Sequence, residues 1–273
     1  MPTGAPVVLA LDFDGVVCDG RAEYLEAARR ACAVTWPAAE VPPQAAARFA
    51  ALRPLIEGGW EMPLLLHALV GGVADAAVAD RASWMQTARA VLTQTGCSPE
   101  SLGRTLNAVR DEWFAARPAD WIAHHVMYDG VPERIEAALD EGVRVVIVTT
   151  KAERFARALL AAHGARLGAL TVVGREPSRA IPKLETLALL AEEHGLRDGA
   201  GLWFVEDFLE TLESVRRIPR LAAVRLFLAD WGYNTIEDRA RAERTPPIAL
   251  LSLARFTAAF AAWPTPRTSP AGR

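Results

Sequence analysis

Val7-Val8-Leu9-Ala10-Leu11-Asp12-Phe13-Asp14-Gly15-Val16-Val17 is the stretch whose reading decides the fold. Its five opening residues, aliphatic and β-branched, read as a strand buried on both faces. The strand runs straight into two carboxylates one residue apart, and then a glycine. A buried strand that ends in acids carries them to the rim of a sheet. In open α/β sheets that carboxyl-end rim is where ligands bind.

Working outward, the chain shows two textures. From about Gly20 to Met127 strand signals are nearly absent. Segments 21–34, 43–56, 61–79, 83–95 and 99–116 are alanine-rich and helix-favouring. Ser98-Pro99-Glu100 is a start signal, with a capping serine, proline at the first helical position and an early acid. Breaks fall at Trp36-Pro37, Pro42-Pro43, Gly58-Gly59 and Gly96. From about Tyr128 onward strands and helices alternate. Val131, Ile135 and Leu139 mark one helical face, and Gly142 stops that helix. Strands are expected at 143–148, 170–173, 202–205 and 222–228. Helices are expected at 152–163, with Phe155, Leu159 and Ala162 inward, and at 184–194 and 208–216. Such alternation predicts a doubly wound, Rossmann-like parallel sheet, α/β in class. The expected organisation is an α/β core of residues 1–19 and 128–263, an all-helical insertion over 20–127, and a loose C-terminal tail over 264–273, where Pro264, Pro266 and Pro270 gather.

Composition narrows the class. The 273 residues are 51% apolar and 23% charged, as in a globular protein, and suffice for one large or two smaller cores. The formal net charge of −3 gives no electrostatic reason to expect nucleic acid or an anionic membrane as partner. Cys18, Cys32 and Cys97 are odd in number and unpatterned, which fits neither a disulfide framework nor a zinc site and suits a reducing compartment. Met1 leads through Pro2 and Gly4 into the first strand without a basic start and long apolar run. The most apolar region, 62–78, is interrupted by His67, Gly71, Gly72 and Asp75. A soluble, cytoplasmic protein is expected, as monomer or homodimer.

The rim carries the chemistry. The strand over 143–148 ends in Thr149-Thr150-Lys151, Lys183 stands at a helix start after Pro182, and the strand over 202–205 ends in Glu206-Asp207. Three apolar strands thus deliver Asp12/Asp14, Thr149 and Glu206/Asp207 to one edge. Clustered carboxylates can hold a hard divalent cation, magnesium being the natural candidate. A hydroxyl and an ammonium suit phosphate oxygens and transition-state charge. One carboxylate could attack phosphorus, and a second could protonate the leaving oxygen and later activate water.

This ordered set, Asp12-Phe13-Asp14-Gly15-Val16, Val145-Val146-Ile147-Val148-Thr149, Lys183 and Phe204-Val205-Glu206-Asp207, resembles the haloacid dehalogenase superfamily of hydrolases. Tyr128-Asp129-Gly130-Val131 and Trp231-Gly232-Tyr233 also look like stretches of its phosphatases. The resemblance implies Asp12 as nucleophile and Asp14 as general acid/base. It implies Thr149, Thr150 and Lys183 as phosphate-binding, and Mg2+ held by Asp12, the Asp14 carbonyl, Asp207 and Glu206. The second aspartate favours phosphoryl transfer over dehalogenation, since an acid helps an alcohol leave phosphorus. The fourth motif departs from its common form, with Thr211 where a second aspartate often stands, so either acid of Glu206-Asp207 could be the direct ligand. The insertion after the first motif matches the superfamily's helical cap, which excludes water and selects substrate. The expected activity is a phosphatase acting on a small phosphorylated metabolite through an aspartyl-phosphate. The alternatives are a phosphomutase using the same acids and a non-catalytic binding protein that kept the fold.

Other residues carry weaker signals. Arg53, Glu57, Trp60 and Glu61 surround the Gly58-Gly59 break and are candidate specificity residues; the bland alternative is solvated helix ends with Trp60 packed among helices. His124-His125 reads as an exposed pair. Lys151 either lines the site or is a surface lysine at a helix start. Asp129 reads as a turn residue, Trp231 and Tyr233 as loop packing, and Trp84 and Trp113 as core.

Overall fold

The computed structural model describes residues 4–37, 40–175 and 182–265. Strand β1, Val8–Leu11, is wholly buried and leads through the acids to a two-residue strand β2, Cys18–Asp19. Six helices follow: α1 Arg21–Thr35, α2 Pro43–Ala51, α3 Glu61–Val70, α4 Arg81–Thr95, α5 Pro99–Ala116 and α6 Pro118–Ala123. Strand β3, Val126–Met127, then pairs antiparallel with β2 through Cys18 opposite Met127. Alternation begins with α7 Val131–Asp140, β4 Arg144–Ala152, α8 Glu153–Ala162, α9 Ala165–Gly168, β5 Thr171–Arg175 and α10 Lys183–Glu193. It closes with β6 Leu202–Glu206, α11 Leu209–Arg216, β7 Arg225–Ala229, α12 Ile236–Glu243, β8 Ala249–Leu251 and α13 Leu253–Phe256. Among the described residues, no helix is long and apolar enough to cross a membrane.

Two compact units result, one combining Met1–Asp19 with Val126–Arg273, the other spanning Gly20–His125. In the first, six parallel strands lie in the order β5-β4-β1-β6-β7-β8. The chain builds β4 and β5 on one side of β1, and β6, β7 and β8 on the other. The strand order therefore reverses at β1, which is where a crevice opens at the carboxyl ends of such a sheet. Register places Leu11 beside Ile147 on one neighbour and beside Val205 on the other, so the segments after β1, β4 and β6 emerge together. Under the sheet, Val8, Ala10, Val146, Leu187, Phe204, Leu212 and Leu226 form a shared apolar core. Covering both faces is what allows near-continuous apolar strands.

The helical unit follows from local signals. Ser98 and Ser101 cap α5 reciprocally around Pro99, and Asp80 accepts from Ser83 N at 2.7 Å to start α4. Gly96 ends α4 at φ +67°, a conformation glycine adopts without penalty. Trp84 and Trp113 are fully interior.

Several expectations are refined. The helix expected over 43–56 stops at Ala51 and gives way to a 3₁₀ turn, Arg53–Leu55, around Pro54. That expected over 61–79 stops at Val70, before Gly71. Ala162 is exposed, and the inner face of α8 is carried by Phe155, Ala156, Leu159 and Leu160. Strand β4 does not end at Val148 but runs on to Ala152, and β8 adds a strand beyond the expected series. Most of the expected tail, 266–273, lies outside the described residues.

Candidate active site

The first acid is fixed by the sheet. Asp12 directly follows β1, and its amide donates to Val205 O at 2.9 Å, so the backbone is still held by β6. The chain then turns sharply: Val17 N and Cys18 N both donate to Phe13 O at 2.9 Å, and Gly15 N to Cys18 O at 2.8 Å. This turn needs Gly15 at φ +87°. It returns the chain to β2 and leaves Asp12 and Asp14 with separate surroundings.

Asp12, Glu206 and Asp207 each offer a carboxylate oxygen, and the three lie within 4.8 Å of one another. All three residues are buried, at 5%, 1% and 5% exposure. Lys183, the first residue of α10, bridges two of them, its Nζ 2.9 Å from Asp12 Oδ1 and 2.7 Å from Glu206 Oε2. Burial alone would lower the pKa of that ammonium, but the charges of Asp12 and Glu206 outweigh it and hold the group above the ordinary lysine value. Burial also acts on Glu206. Together with the charges of Asp12 and Asp207, it pushes that carboxyl well above its ordinary value despite Lys183.

Asp207 is pinned from the other side. Its Oδ2 accepts from Tyr233 N at 2.7 Å, and its carbonyl accepts from Asn234 Nδ2 at 3.1 Å. The loop supplying those donors is tied back to the turn after β1. Trp231 Nε1 donates to Val16 O at 3.2 Å, and the Tyr233 hydroxyl bonds Asp19 Oδ1 at 3.1 Å. Close packing demands glycine here: a Cβ on Gly232 would lie 2.6 Å from Gly15 O.

Asp14 belongs to a second cluster. Lys151 Nζ lies 3.0 Å from its Oδ1 and 3.4 Å from its Oδ2. Thr149 is buried, and its Oγ1 accepts from Lys151 N at 3.1 Å, leaving the hydroxyl hydrogen to donate elsewhere. Thr150 is exposed. The structure therefore gathers Asp12, Lys183, Glu206 and Asp207 in one set and links Asp14 to Lys151. The sequence leaves Lys151 open between a site lysine and a surface lysine at a helix start; in the structure it stands near the end of a strand with its side chain 7% exposed.

Asp12, Asp14, Glu206 and Asp207 outnumber the ammonium groups of Lys183 and Lys151, and a divalent cation would offset that excess. The donor set is all oxygen, as a hard divalent cation prefers, and Asp12, Glu206 and Asp207 each bring a carboxylate oxygen within 4.8 Å of the others. These residues fit such an ion.

The remaining candidates sit in the helical unit. Glu61, 1% exposed, accepts from Trp84 Nε1 at 2.7 Å and Gly58 N at 2.8 Å, and pairs with Arg81. Glu57 pairs with Arg81 at 2.8 Å, and the Arg53 guanidinium lies over the Tyr24 ring, 5.0 Å from its centre. Trp60 is half-buried. His124 and His125 bond the carbonyls of Asp120 and Trp121 within their own helical end, and His125 is buried against Trp121, not exposed as expected.

Residues 7–218 match the model of a family described as haloacid dehalogenase-like hydrolase. Similar solved structures include one from Bacteroides fragilis described as a haloacid dehalogenase-like hydrolase, 14% identical with a TM-score of 0.59, covering 91% of this chain and 97% of that one. Another, from Clostridium acetobutylicum, is described as a phosphatase and is 11% identical, with a TM-score of 0.57 and coverage of 87% and 90%. A third, from Haemophilus somnus, is described as a phosphoglycolate phosphatase and is 15% identical, with a TM-score of 0.54 and coverage of 86% and 89%. No curated protein matches the chain.

Proposed function

The chain belongs to the haloacid dehalogenase-like hydrolases, and we propose that within that family it is a magnesium-dependent phosphatase acting on a small phosphorylated metabolite. The observation that carries this reading is the separation of the acids into two clusters. Asp12 sits with Glu206, Asp207 and Lys183, while Asp14, two residues on, is held separately by Lys151. A site with one anchored carboxylate facing cations and a second in different surroundings suits a nucleophile and an acid/base.

In this reading a carboxylate oxygen of Asp12 attacks phosphorus, and the ester P–O bond breaks. Asp14 gives its proton to the departing alkoxide. Asp14 then takes a proton from water as that water attacks the aspartyl-phosphate, which releases phosphate and restores Asp12. Lys183 and the Thr149 hydroxyl hold the phosphoryl oxygens, and Thr150, which is exposed, contributes through its backbone. Magnesium, held by Asp12, the Asp14 carbonyl and Asp207 with Glu206 beside them, would supply charge neutralisation at phosphorus.

We read the helical unit as a substrate-selecting cap, since it is spliced in directly after the acids. Arg53, Glu57 and Trp60 are the candidates for contacting substrate, whereas Glu61 anchors the unit's interior. The descriptions of similar structures as phosphatases accord with this class of reaction. The test is release of phosphate from a panel of sugar, nucleotide and short-chain acid phosphates, and from an aryl phosphate, with magnesium. Wild type is expected to turn over at least one ester and Asp12→Asn none. Turnover without metal, or an Asp12→Asn variant as active as wild type, would sink the reading.

A further inference from the structure

The carboxyl end of β4 is built in an unusual way. Val148 of β4 pairs with Val173 of β5, and the next pair is Ala152 with Arg175. Three residues, Thr149, Thr150 and Lys151, therefore face Gly174 alone. Bulges of this kind bend a strand and re-aim its side chains, and they concentrate beside active sites. Gly174 is what lets this one close. A Cβ there would lie 2.8 Å from Lys151 O and 2.8 Å from Glu153 N. Within the bulge the Lys151 amide donates to Thr149 Oγ1 at 3.1 Å, so the hydroxyl and the lysine are set by one piece of backbone. The side chain so aimed is buried, and its ammonium spans both oxygens of Asp14, at 3.0 and 3.4 Å.

We propose that Lys151 is the positioning residue for Asp14, holding that carboxyl where it exchanges protons with the leaving oxygen and the attacking water. This rests on the acid/base reading of Asp14 given above. An aspartate side chain has several staggered orientations available. A buried ammonium on both of its oxygens selects one of them, and charge-assisted bonds of this sort are among the stronger ones. The bulge links this selection to the phosphoryl-binding hydroxyl, so that Thr149 and Asp14 keep a fixed relation.

Leaving-group dependence tests the assignment, because loss of proton delivery to the leaving oxygen costs most where the alkoxide leaves poorly. Steady-state kinetics of the full chain would compare wild type, Lys151→Met, Lys151→Arg, Asp14→Asn and the Asp14→Asn/Lys151→Met double variant. The substrates are p-nitrophenyl phosphate and the best alkyl phosphate of the panel. General acid/base catalysis contributes on the order of 100- to 10,000-fold, and Lys151→Met is expected to lose about 10- to 100-fold of it in kcat/KM on the alkyl ester, the parameter that reports transfer to Asp12 and not the hydrolysis common to both esters. The loss in kcat/KM on the aryl ester should be at least about tenfold smaller. Lys151→Arg, which keeps the charge, should recover most of the activity. In the Asp14→Asn background the lysine substitution should add less than about twofold. Should Lys151→Met not fold, Lys151→Gln, which retains a donor without the charge, decides by the same comparison. Equal losses on both esters, or a full additional loss in the Asp14→Asn background, would overturn the assignment of Lys151 alone. An Asp14→Asn variant indifferent to the leaving group would overturn the acid/base reading itself, and this proposal with it.

Discussion

Replacing Gly15 with alanine should damage the acid cluster through a single methyl group. Gly15 holds φ at +87°. A Cβ there would overlap Asp207 Oδ2, lie 2.6 Å from Asp207 Cγ and lie 3.0 Å from Tyr233 Cδ2. Asp207 cannot yield freely, because its Oδ2 accepts the Tyr233 amide at 2.7 Å and the residue is 5% exposed. Left-handed backbone costs a non-glycine residue about 1–2 kcal/mol, and forcing a methyl into packed surroundings adds about 1–3 kcal/mol. The total, about 2–5 kcal/mol, corresponds to a fall in Tm on the order of 10 °C for a chain of this size. The same displacement moves one of the three carboxylates proposed to hold magnesium, so magnesium should bind roughly 10- to 100-fold more weakly, the range for disturbing groups that orient ligands. Thermal unfolding by circular dichroism reads the first quantity and titration calorimetry with magnesium the second. A Gly15→Ala protein melting within about 2 °C of wild type, with unchanged magnesium affinity, would refute the reasoning.

Three other expectations concern metal, packing and thiols. Because burial raises the pKa of Glu206, the folded metal-free protein holds a proton the unfolded chain has lost. Its stability should fall as pH rises from about 4.3 through the folded value. Lys183, raised by its partners, keeps its contribution across that window and loses it only above the ordinary lysine pKa. Magnesium should flatten the decline, adding about 2.7 kcal/mol at 100 times its Kd, and Asp207→Asn should abolish the shift; thermal melts against pH with and without the ion check both. Glu61→Ala removes the acceptor shared by Trp84, Gly58 and Arg81, and should cost about 3–5 kcal/mol in denaturant unfolding, with the aryl phosphatase site intact. Burial pushes Cys18 far up and Cys32 up to about 12, so a thiol reagent at mildly alkaline pH should label Cys97 first and the other two only on unfolding.

The sheet core was legible because its strands are continuous apolar runs, and Val8–Leu11, Arg144–Val148 and Leu202–Val205 fall where that texture predicts. The parts that escaped are short or polar. Strand β8 is three residues between Ile248 and Ser252, too brief for a periodicity to show. The β2–β3 ribbon has two residues on each strand, joined across the whole helical insertion. The extension of β4 through Thr149, Thr150 and Lys151 looks like the end of a strand because its apolar run stops at Val148. Pairing across sequence was the least visible. Nothing local announces that Lys151 reaches Asp14, 137 residues away, or that Glu61 finds Arg81 and Trp84. Charged residues around Gly58-Gly59 suggested a surface for substrate, whereas for Glu61 the structure shows an interior anchor. The grouping of Asp12 with Lys183, Glu206 and Asp207 was readable in advance only as an ordered set of strand-end and helix-start residues, which the reversal of strand order at β1 brings together.

The central claim is that Asp12 carries the phosphoryl group between substrate and water. Its most direct test is acid-quenched turnover followed by mass spectrometry of the peptide that contains Asp12. A phosphoryl adduct on Asp12 during turnover, absent in Asp12→Asn together with all phosphate release, is the predicted result. Steady hydrolysis with no adduct on that peptide, or an adduct on a different residue, would contradict it.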